Sequence, residues 1–373
     1  MLSGIIKNII YILIYSTLVI SCTKAHPEMV WGDEISFSIS ADVKANELTN
    51  SNIYNFGVYA ALERNGGDFS QSSELQGHMN NVIVSKNSDG WSASPKHYWP
   101  VDQNMKLSFF AYAPHITNGT DIQGPENKDW NSDKNLRIVY SPNENPAVQK
   151  DFCVARAVLN KTSTPDINGN IPPIQFNFEH TLTWISFAAN YVGTLDNCNM
   201  VIDEIVLKNV VGENTIICKP DQNGNFFEWA ELSYNAPKTA LYTLQSDKYT
   251  LAKTPIPNKD ENNNAYQDIS TAEGYLYLLP QSINPLTAGD GGNANKVKTI
   301  IDVVFSYVKK DVNNTIIAQF NTSMVLPNST WNAGQKIKYN FTLDVTTASL
   351  ISISPTIEPW TPSGNIHNDA EIK

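Results

Sequence analysis

Apolar and polar residues alternate strictly over several stretches of the chain. In residues 35–43 every odd position is Ile, Phe, Ala or Val, and every even position is Ser or Asp. Because successive side chains of a β-strand point to opposite faces, this pattern predicts a strand with one buried face and one solvated face. The same alternation occurs in residues 174–178, 337–345 and 351–353, and in residues 107–111 except that Phe occupies the even position 110.

Turn sequences separate these stretches. Asn-Gly and Asp-Gly pairs tolerate the positive φ angles of tight hairpins, and they occur at residues 65–66, 89–90, 168–169, 223–224 and 290–291. Helical periodicity is scarce, and only residues 228–234 indicate a short helical stretch. Strands that are wet on one face are typical of antiparallel sandwiches. The sequence therefore predicts an all-β protein.

The chain is longer than one hydrophobic core usually organises, which favours two domains. Residues 163–173 contain three prolines and an Asn-Gly turn, and they are the best candidate boundary. We therefore predict a signal peptide at residues 1–21, an N-terminal β-sandwich domain at residues 22–172 and a C-terminal β-sandwich domain at residues 173–373.

The N-terminus has the features of a secretory signal. Lys7 precedes an apolar run at residues 9–20, which is too short to cross a hydrocarbon core about 30 Å thick. The sequence Val-Ile-Ser-Cys at residues 19–22 resembles the lipobox of bacterial lipoproteins, which predicts that Cys22 is acylated and anchors the mature chain. An ordinary signal peptide with a cysteine near its exit is the alternative.

Charge and cysteine content narrow the range of partners. The chain has 26 Lys and Arg residues against 37 Asp and Glu residues and no basic cluster that could follow phosphates, so we exclude nucleic acid. Beyond Cys22 there are three cysteines, Cys153, Cys198 and Cys218. They allow at most one disulfide, for which Cys198 with Cys218 is one guess, and their oxidation state stays open. Without a CxxC motif or a Cys/His cluster in the sequence, we predict no metal and no cofactor.

The sequence lacks the common catalytic motifs, including Gly-x-Ser-x-Gly and His-Glu-x-x-His. His180 stands out because it continues the alternation of Phe176 and Phe178. Leu182 and Trp184 extend the same spacing. We interpret His180 as a structural residue whose ring nitrogens are hydrogen-bonded on the inward face. We predict no enzyme activity, although an extracellular hydrolase stays an alternative because glycosidase carboxylates leave no local signature.

Five segments, in their order and spacing, cover most of the chain behind the lipobox. They are Tyr-Trp-Pro at 98–100 followed by Leu-Ser-Phe-Phe-Ala-Tyr-Ala-Pro at 107–114, Phe-Glu-His-Thr-Leu-Thr-Trp-Ile-Ser-Phe at 178–187, Leu-Pro-Gln at 279–281, Trp-Asn-Ala-Gly-Gln-Lys-Ile-Lys-Tyr at 331–339 and Ile-Glu-Pro-Trp at 357–360. Together they resemble the fimbrillin-like lipoproteins of Bacteroidales. The resemblance implies two tandem transthyretin-like β-sandwich domains and a role as a type V pilus subunit, without catalysis. It places the chain at the cell outer membrane or in an extracellular fimbrium.

The resemblance also implies an assembly scheme. An Arg- or Lys-specific protease removes the first strand, and an extended segment of the next subunit fills the groove. Residues 35–43 fit an edge-accessible, removable strand, and Lys44 follows them directly. Arg64 is the second processing candidate, but it lies beyond residues 56–60, whose loss would remove another core strand. The implied partners are other pilin subunits, the outer membrane through the lipid on Cys22, and a host or bacterial surface receptor.

Two questions stay open at the level of sequence. Residues 351–357, with Ile at 351, 353 and 357, could be a donor strand or simply the last strand, so a shaft, tip or anchor position is undecided. The alternative function is a surface lipoprotein that binds polysaccharide by stacking sugars on Tyr98 and Trp99. An apolar strand follows these two residues, which favours packing against the end of a sandwich instead.

Overall fold

The computed structural model describes residues 31–39, 53–117, 119, 121–221, 224–232, 238–245, 254–261, 265–269, 275–284 and 298–359. Within these ranges the chain forms β-strands and one 3₁₀ helix, Pro146–Val148. No helix in the described ranges combines the length and the apolar character needed to cross a membrane. The predicted all-β class is confirmed.

The first thirteen strands precede the long strands of the C-terminal half. They are β1 (Trp31–Glu34), β2 (Phe37–Ile39), β3 (Asn55–Glu63), β4 (Gln76–Asn87), β5 (Gly90–Ser94), β6 (Tyr98–Pro100), β7 (Lys106–Ala113), β8 (Ile122–Gln123), β9 (Leu136–Tyr140), β10 (Cys153–Ala155), β11 (Val158–Lys161), β12 (Ile174–Phe176) and β13 (Phe178–His180).

The remaining strands complete the described chain. They are β14 (Thr183–Val192), β15 (Cys198–Val211), β16 (Asn214–Cys218), β17 (Phe227–Trp229), β18 (Thr239–Gln245), β19 (Gln267–Asp268), β20 (Leu276–Leu278), β21 (Gln281–Ile283), β22 (Ile300–Lys309), β23 (Ile316–Val325), β24 (Ser329–Trp331), β25 (Gln335–Asp344) and β26 (Ser349–Pro359).

Nine strands form the largest sheet, in the order β12-β2-β5-β4-β3-β7-β10-β13, with β11 also paired to β7. Its pairs are antiparallel except for β12 with β2, which run parallel. One face of this sheet covers the N-terminal core, a cluster that includes Phe37, Phe56, Trp99, Phe109 and Phe176. The alternation in residues 35–43 is visible here, because Ile35 and Phe37 are buried and Ser36 is exposed.

The C-terminal half packs two sheets face to face. One has the order β19-β14-β25-β26, with β20 also paired to β14, and the other has the order β18-β15-β22-β23. Between them lies the C-terminal core, which includes Phe187, Phe305, Tyr339 and Phe341. Strands β14 and β25 run parallel over ten paired positions, whereas the sequence predicted antiparallel sheets only.

A four-stranded sheet, β17-β16-β9-β8, joins segments from both halves of the chain. Ile138 of β9 lies opposite Ile216 of β16, and neither side chain has measurable exposure. This sheet covers a bridging core that includes Phe110, Tyr112 and Trp130. Strands β12 and β13 also follow residue 172 and yet pair in the nine-stranded sheet. The domain division at residue 172 stays a prediction, and sheet pairing crosses it.

The bridging sheet explains two differences from the sequence prediction. Strand β7 was predicted to have one solvent-exposed face, but seven of its eight residues are buried. The reason is that one face contacts the N-terminal core and the other contacts the bridging core. The short helix indicated at residues 228–234 is wrong where the structure describes it: residues 227–229 form β17, and Trp229 pairs with Ile216. Partner strands here override the local helical spacing.

Candidate functional site

Strand β2 occupies a slot inside the nine-stranded sheet. It pairs in parallel with β12 at three positions and in antiparallel with β5 at a single position, Phe37 opposite Trp91. Backbone hydrogen bonds at its entrance run from Ile35 N to His97 O at 2.9 Å and from Ile174 N to Ser36 O at 2.9 Å. The prediction of an edge strand is therefore wrong for the described residues 35–39, because β12 covers the outer side of β2.

The side chain of Phe37 anchors this strand. It is 4% exposed, stacks on Phe176 at 6.2 Å and makes edge contacts with Phe56 at 6.1 Å and Phe109 at 6.2 Å. Burying a phenylalanine stabilises a fold by about 1.5–3 kcal/mol, and each aromatic pair adds about 0.5–1.5 kcal/mol. The buried side chain of Phe37 therefore contributes more to holding β2 in the sheet than its few backbone hydrogen bonds do.

Of the predicted processing and lipidation residues, Arg64 lies within the described part of the chain, whereas Cys22 and Lys44 do not. Cys22 and Lys44 lie outside the described residues, as do residues 40–43 of the predicted first strand. Arg64 directly follows β3, which is paired on both sides and buried at eight of its nine residues. The Nε atom of Arg64 is itself buried. A cut at Arg64 would therefore separate the central strand of the sheet, as the sequence argument anticipated.

Two open strand edges lie side by side at the C-terminal sandwich. Strand β26 pairs with β25 and strand β23 pairs with β22, and each ends its sheet within the described residues. The backbone N–H of Leu350 donates to Thr322 Oγ1 at 3.0 Å, which joins the two edges. The exposed side chains there include Ile316 (58%), Ile317 (57%), Ile351 (47%) and Ile357 (49%). An apolar edge of this kind is a template for pairing with another chain.

His180 lies at the end of β13, where its Nδ1 is 2.6 Å from Asp151 Oδ2 and 3.6 Å from Cys153 Sγ. The Cys153 thiol donates to Asp151 Oδ2 at 3.4 Å, and burial raises the pKa of this thiol well above its usual value. Sequence reasoning missed both partners of His180. The available signal was the Asp-x-Cys spacing, which puts residues 151 and 153 on one face of a strand.

The alternating residues on either side of His180 do not all pack on the same hydrophobic core. Phe176 and Phe178 pack on the N-terminal core as expected, whereas Leu182 and Trp184 belong to the bridging core. The alternation therefore continues in sequence across a change of sheet. The oxidation state of the cysteines, which the sequence left open, is resolved in the structure: Cys153, Cys198 and Cys218 are all free, so the guessed pairing of Cys198 with Cys218 is not formed.

The two aromatic residues considered for sugar stacking, Tyr98 and Trp99, differ in exposure. Trp99 is 1% exposed and contacts Phe109 edge-on at 6.0 Å, while Tyr98 is 39% exposed. Trp331 is 1% exposed, and its Nε1 donates to Tyr339 Oη at 2.9 Å. Tyr98 and Trp99 therefore do not form an exposed pair, and the packing interpretation of this segment is confirmed.

Comparison with known structures identifies the architecture. A fimbrial protein from Bacteroides vulgatus superposes with a TM-score of 0.61 at 18% identity, covering 88% of this chain and 100% of that one. A putative cell adhesion protein from Bacteroides uniformis (TM-score 0.43, 15% identity, 88% and 98% covered) and a fimbrilin from Porphyromonas gingivalis (0.43, 12%, 89% and 98%) also match. The first of these comparisons shows a shared fold.

Comparison of sequences identifies the family. No curated protein matches the chain. The family model described as fimbrillin-like matches residues 43–360, which include all of the described strands from β3 to β26. The resemblance found in the order of short segments is thereby confirmed, and the chain belongs to the fimbrillin-like family.

Proposed function

We propose that this chain is a structural and adhesive subunit of a cell-surface fimbria, exported as a lipoprotein, anchored to the outer membrane through Cys22 and assembled by proteolysis-triggered strand exchange. Membership of the fimbrillin-like family and the fold shared with a fimbrial protein support the subunit role. Two tandem transthyretin-like domains that divide near residue 172 are part of the proposal. Catalysis has no part in it.

The main observation in support of the assembly mechanism is the way in which β2 is held in the nine-stranded sheet. Its main apolar anchor, Phe37, enters a pocket formed by Phe56, Phe109 and Phe176, while its ladder with β5 has one paired position. Removing β2 would expose these three rings together with the free edges of β5 and β12. Exposing apolar surface and unpaired backbone groups is costly, so the empty slot recruits another extended segment.

Strand β26 is the donor that we propose for the slot of the next subunit. It lies at the edge of its sheet, and Ile351 and Ile357 are about half exposed; Ile357 pairs with Ile337 of β25, whereas Ile351 lies at the β-bulge between Leu350 and Ser352. Strand addition uses main-chain hydrogen bonds for affinity and alternate side chains in pockets for register. Ile353 and Ile357 share one face of β26, opposite Phe341 and Ile337 of β25, and have the alternate spacing that such pockets require.

Of the two processing candidates, Lys44 fits this mechanism better than Arg64. A cut at Lys44 separates the part of the mature chain that carries Cys22, β1 and residues 35–43, and it leaves β3 attached to the body of the subunit. A cut at Arg64 would also free β3, whose loss would leave β4 and β7 without the strand between them. The processed subunit would then lack the central strand of its largest sheet.

The test replaces residues 43–46 by the recognition sequence of a site-specific protease. After cutting, the purified protein should form polymers that resist dissociation, and a peptide spanning residues 35–43 should suppress them. The same peptide with Phe37→Ala is the matched control and should suppress them poorly. A cut protein that stays monomeric and as heat-stable as the intact chain would refute the assembly mechanism.

The alternative is a surface lipoprotein that binds polysaccharide. Trp31 and Tyr98 support it, since they are 43% and 39% exposed on the paired strands β1 and β6. Affinity electrophoresis through gels containing bacterial or host glycans tests this function separately. Retardation of the uncut monomer that is lost in a Trp31→Ala/Tyr98→Ala variant would favour it.

A further inference from the structure

Three potential metal ligands meet where β10 and β13 pair. Cys153 lies directly opposite His180 in this antiparallel pair, and Asp151, two residues before Cys153, contacts both side chains. The distances are 2.6 Å from His180 Nδ1 to Asp151 Oδ2, 3.6 Å from His180 Nδ1 to Cys153 Sγ and 3.4 Å from Cys153 Sγ to Asp151 Oδ2. Within the described parts of the chain, no other set of three such side chains lies this close.

The burial of the cluster is unusual for ionisable side chains. The side chains of Asp151 and His180 are 2% and 9% exposed, and the Cys153 residue is 2% exposed. The second carboxylate oxygen, Asp151 Oδ1, is buried and has no hydrogen-bond partner among the described groups. Burying a carboxylate oxygen without a partner costs folding free energy, so a hydrogen-bond donor or a cation at this oxygen would stabilise the site.

The donor set matches zinc chemistry. Thiolate, imidazole and carboxylate are the three ligand types that Zn²⁺ takes, at about 2.3 Å for sulfur and about 2.0–2.1 Å for nitrogen and oxygen. Tetrahedral coordination at these lengths separates sulfur from nitrogen or oxygen by about 3.6 Å and nitrogen from oxygen by about 3.3 Å. The two sulfur distances already fit, and the His180–Asp151 distance must open by about 0.7 Å as the metal replaces the shared proton.

The same geometry argues against nucleophilic catalysis. In a Cys-His-Asp relay the nucleophile contacts one ring nitrogen and the carboxylate contacts the other. Here both Cys153 and Asp151 contact Nδ1 of His180. Three ligand atoms that converge on one point suit a bound ion better than a proton relay.

We propose that Asp151, Cys153 and His180 bind one Zn²⁺-class divalent cation, with water in the remaining coordination position. Binding releases the thiol proton of Cys153 and the Nδ1 proton that His180 shares with Asp151, and the carboxylate of Asp151 bonds to the metal. The ion ties β10 to β13 at His180, three residues before β14 begins at Thr183. It therefore fixes the crossing from the nine-stranded sheet to the C-terminal sandwich.

Two further hydrogen bonds show that the connection from β13 to β14 lies next to this cluster. The backbone N–H of Thr181 donates to the carbonyl of Phe152 at 3.0 Å, which continues the pairing of the two segments beyond His180. Trp229 of the bridging sheet donates its Nε1–H to the carbonyl of Thr181 at 2.8 Å. A cation at this position would brace the contact between both halves of the chain.

The test uses the mature chain with Cys22→Ser, stripped of metal by a chelator and titrated with Co²⁺ and then Zn²⁺. The expected result is one equivalent of Co²⁺, a thiolate-to-cobalt charge-transfer band, displacement by Zn²⁺ and a higher melting temperature with Zn²⁺. Cys153→Ser should abolish the band, and His180→Gln and Asp151→Asn should each weaken binding at least about tenfold. Cys218→Ser, which removes another buried free thiol, is the matched control and should change none of these readouts.

The titration of the unmodified site decides the proposal even if a ligand variant fails to fold. Failure of the chain with Asp151, Cys153 and His180 intact to bind Co²⁺ or Zn²⁺ in a saturable one-to-one ratio overturns it. A charge-transfer band that persists in a folded Cys153→Ser variant also overturns it, because the thiolate would then come from another cysteine.

Discussion

Phe37 stacks on Phe176 across the parallel pair of β2 and β12, with ring planes 11° apart. The two residues are separated by most of the N-terminal half of the chain, and Phe176 lies in the segment that closes the outer side of the β2 slot. This contact therefore holds both the strand and its cover in place. Its loss should loosen the part of the sheet on which the proposed assembly depends.

Phe37→Ala should lower the free energy of unfolding by about 3–5 kcal/mol, because it removes a fully buried ring from a packed aromatic cluster. Phe37→Leu keeps most of the volume and should cost clearly less. Urea denaturation followed by tryptophan fluorescence measures both values. A loss below about 1 kcal/mol for Phe37→Ala would show that β2 contributes little to the folded core.

Stability should fall as the pH is lowered from about 6.5 to about 4. Burial and the neighbouring His97 lower the pKa of His78 to about 4, while the unfolded chain keeps a value near 6.5. In this window the unfolded state binds the extra proton, so stability is lost as the pH falls, by on the order of 2–3 kcal/mol. The pKa of His97 is also lowered by burial, which adds to the same slope.

The variant His78→Gln/His97→Gln provides the check on this pH dependence. Its absolute stability can differ from that of the parent chain, so the slope of unfolding free energy against pH is the quantity to compare. We expect a shallower slope between pH 4 and 6.5. An unchanged slope would mean that other groups cause the acid sensitivity.

The two halves of the chain should not fold separately. Strands β9 and β16 are neighbours in the bridging sheet, and the fully buried pair Ile138 and Ile216 joins them. Fragments 31–181 and 182–359, expressed alone, should aggregate because each exposes an unpaired strand edge and part of the bridging core. Expressed together, they should purify as a complex by size-exclusion chromatography. A monomeric fragment that unfolds cooperatively on its own would contradict this expectation.

Ile351→Lys/Ile357→Lys should leave the monomer nearly unchanged and prevent polymerisation of the cut protein. Both side chains are about half exposed on the edge strand β26, so their replacement should alter monomer stability by no more than about 0.5 kcal/mol. Ser352→Lys/Ser354→Lys changes exposed positions on the other face of the same strand and is the matched control. Polymers that form equally well with both variants would rule out Ile351 and Ile357 as side chains of the donor surface.

Cys22→Ala should abolish acylation of the chain and release or stall its precursor, because the lipobox cysteine is the acceptor that the sequence predicts. Metabolic labelling with a fatty-acid analogue and membrane fractionation measure the two effects. The replacement should not change the urea midpoint of the purified protein. Continued acylation and membrane association of the variant would disprove the anchor.

The sequence was informative where a property depends on local alternation. The strand at residues 337–345 appears as β25 with Ile337, Tyr339 and Phe341 fully buried, because spacing along a strand determines which side chains share a face. Alternation does not determine which strand becomes the neighbour. The parallel pair β14–β25 and the bridging sheet were missed for that reason.

The candidate sites likewise depend on which strands become neighbours, and the sequence did not predict this. The anchoring role of β2 was predictable from the five apolar positions of residues 35–43, whereas its cover by β12 was not, since residues 174–176 are remote in sequence. The cluster of Asp151, Cys153 and His180 arises from the register of β10 and β13. A search for ligand spacing along the chain therefore could not find it, and the expectation of no metal rested on that search.

The parallel pairing of β14 and β25 has a consequence for the timing of folding. Thr342 Oγ1 donates to Asn190 Oδ1 at 2.7 Å across 152 positions of sequence, within a ladder of ten paired residues. Contacts of such high sequence separation form slowly, and this ladder cannot form before residue 344 has been synthesised. Under the export that we propose, this arrangement keeps the C-terminal sandwich incomplete until nearly the whole polypeptide is available, which leaves time for the unfolded chain to cross the membrane.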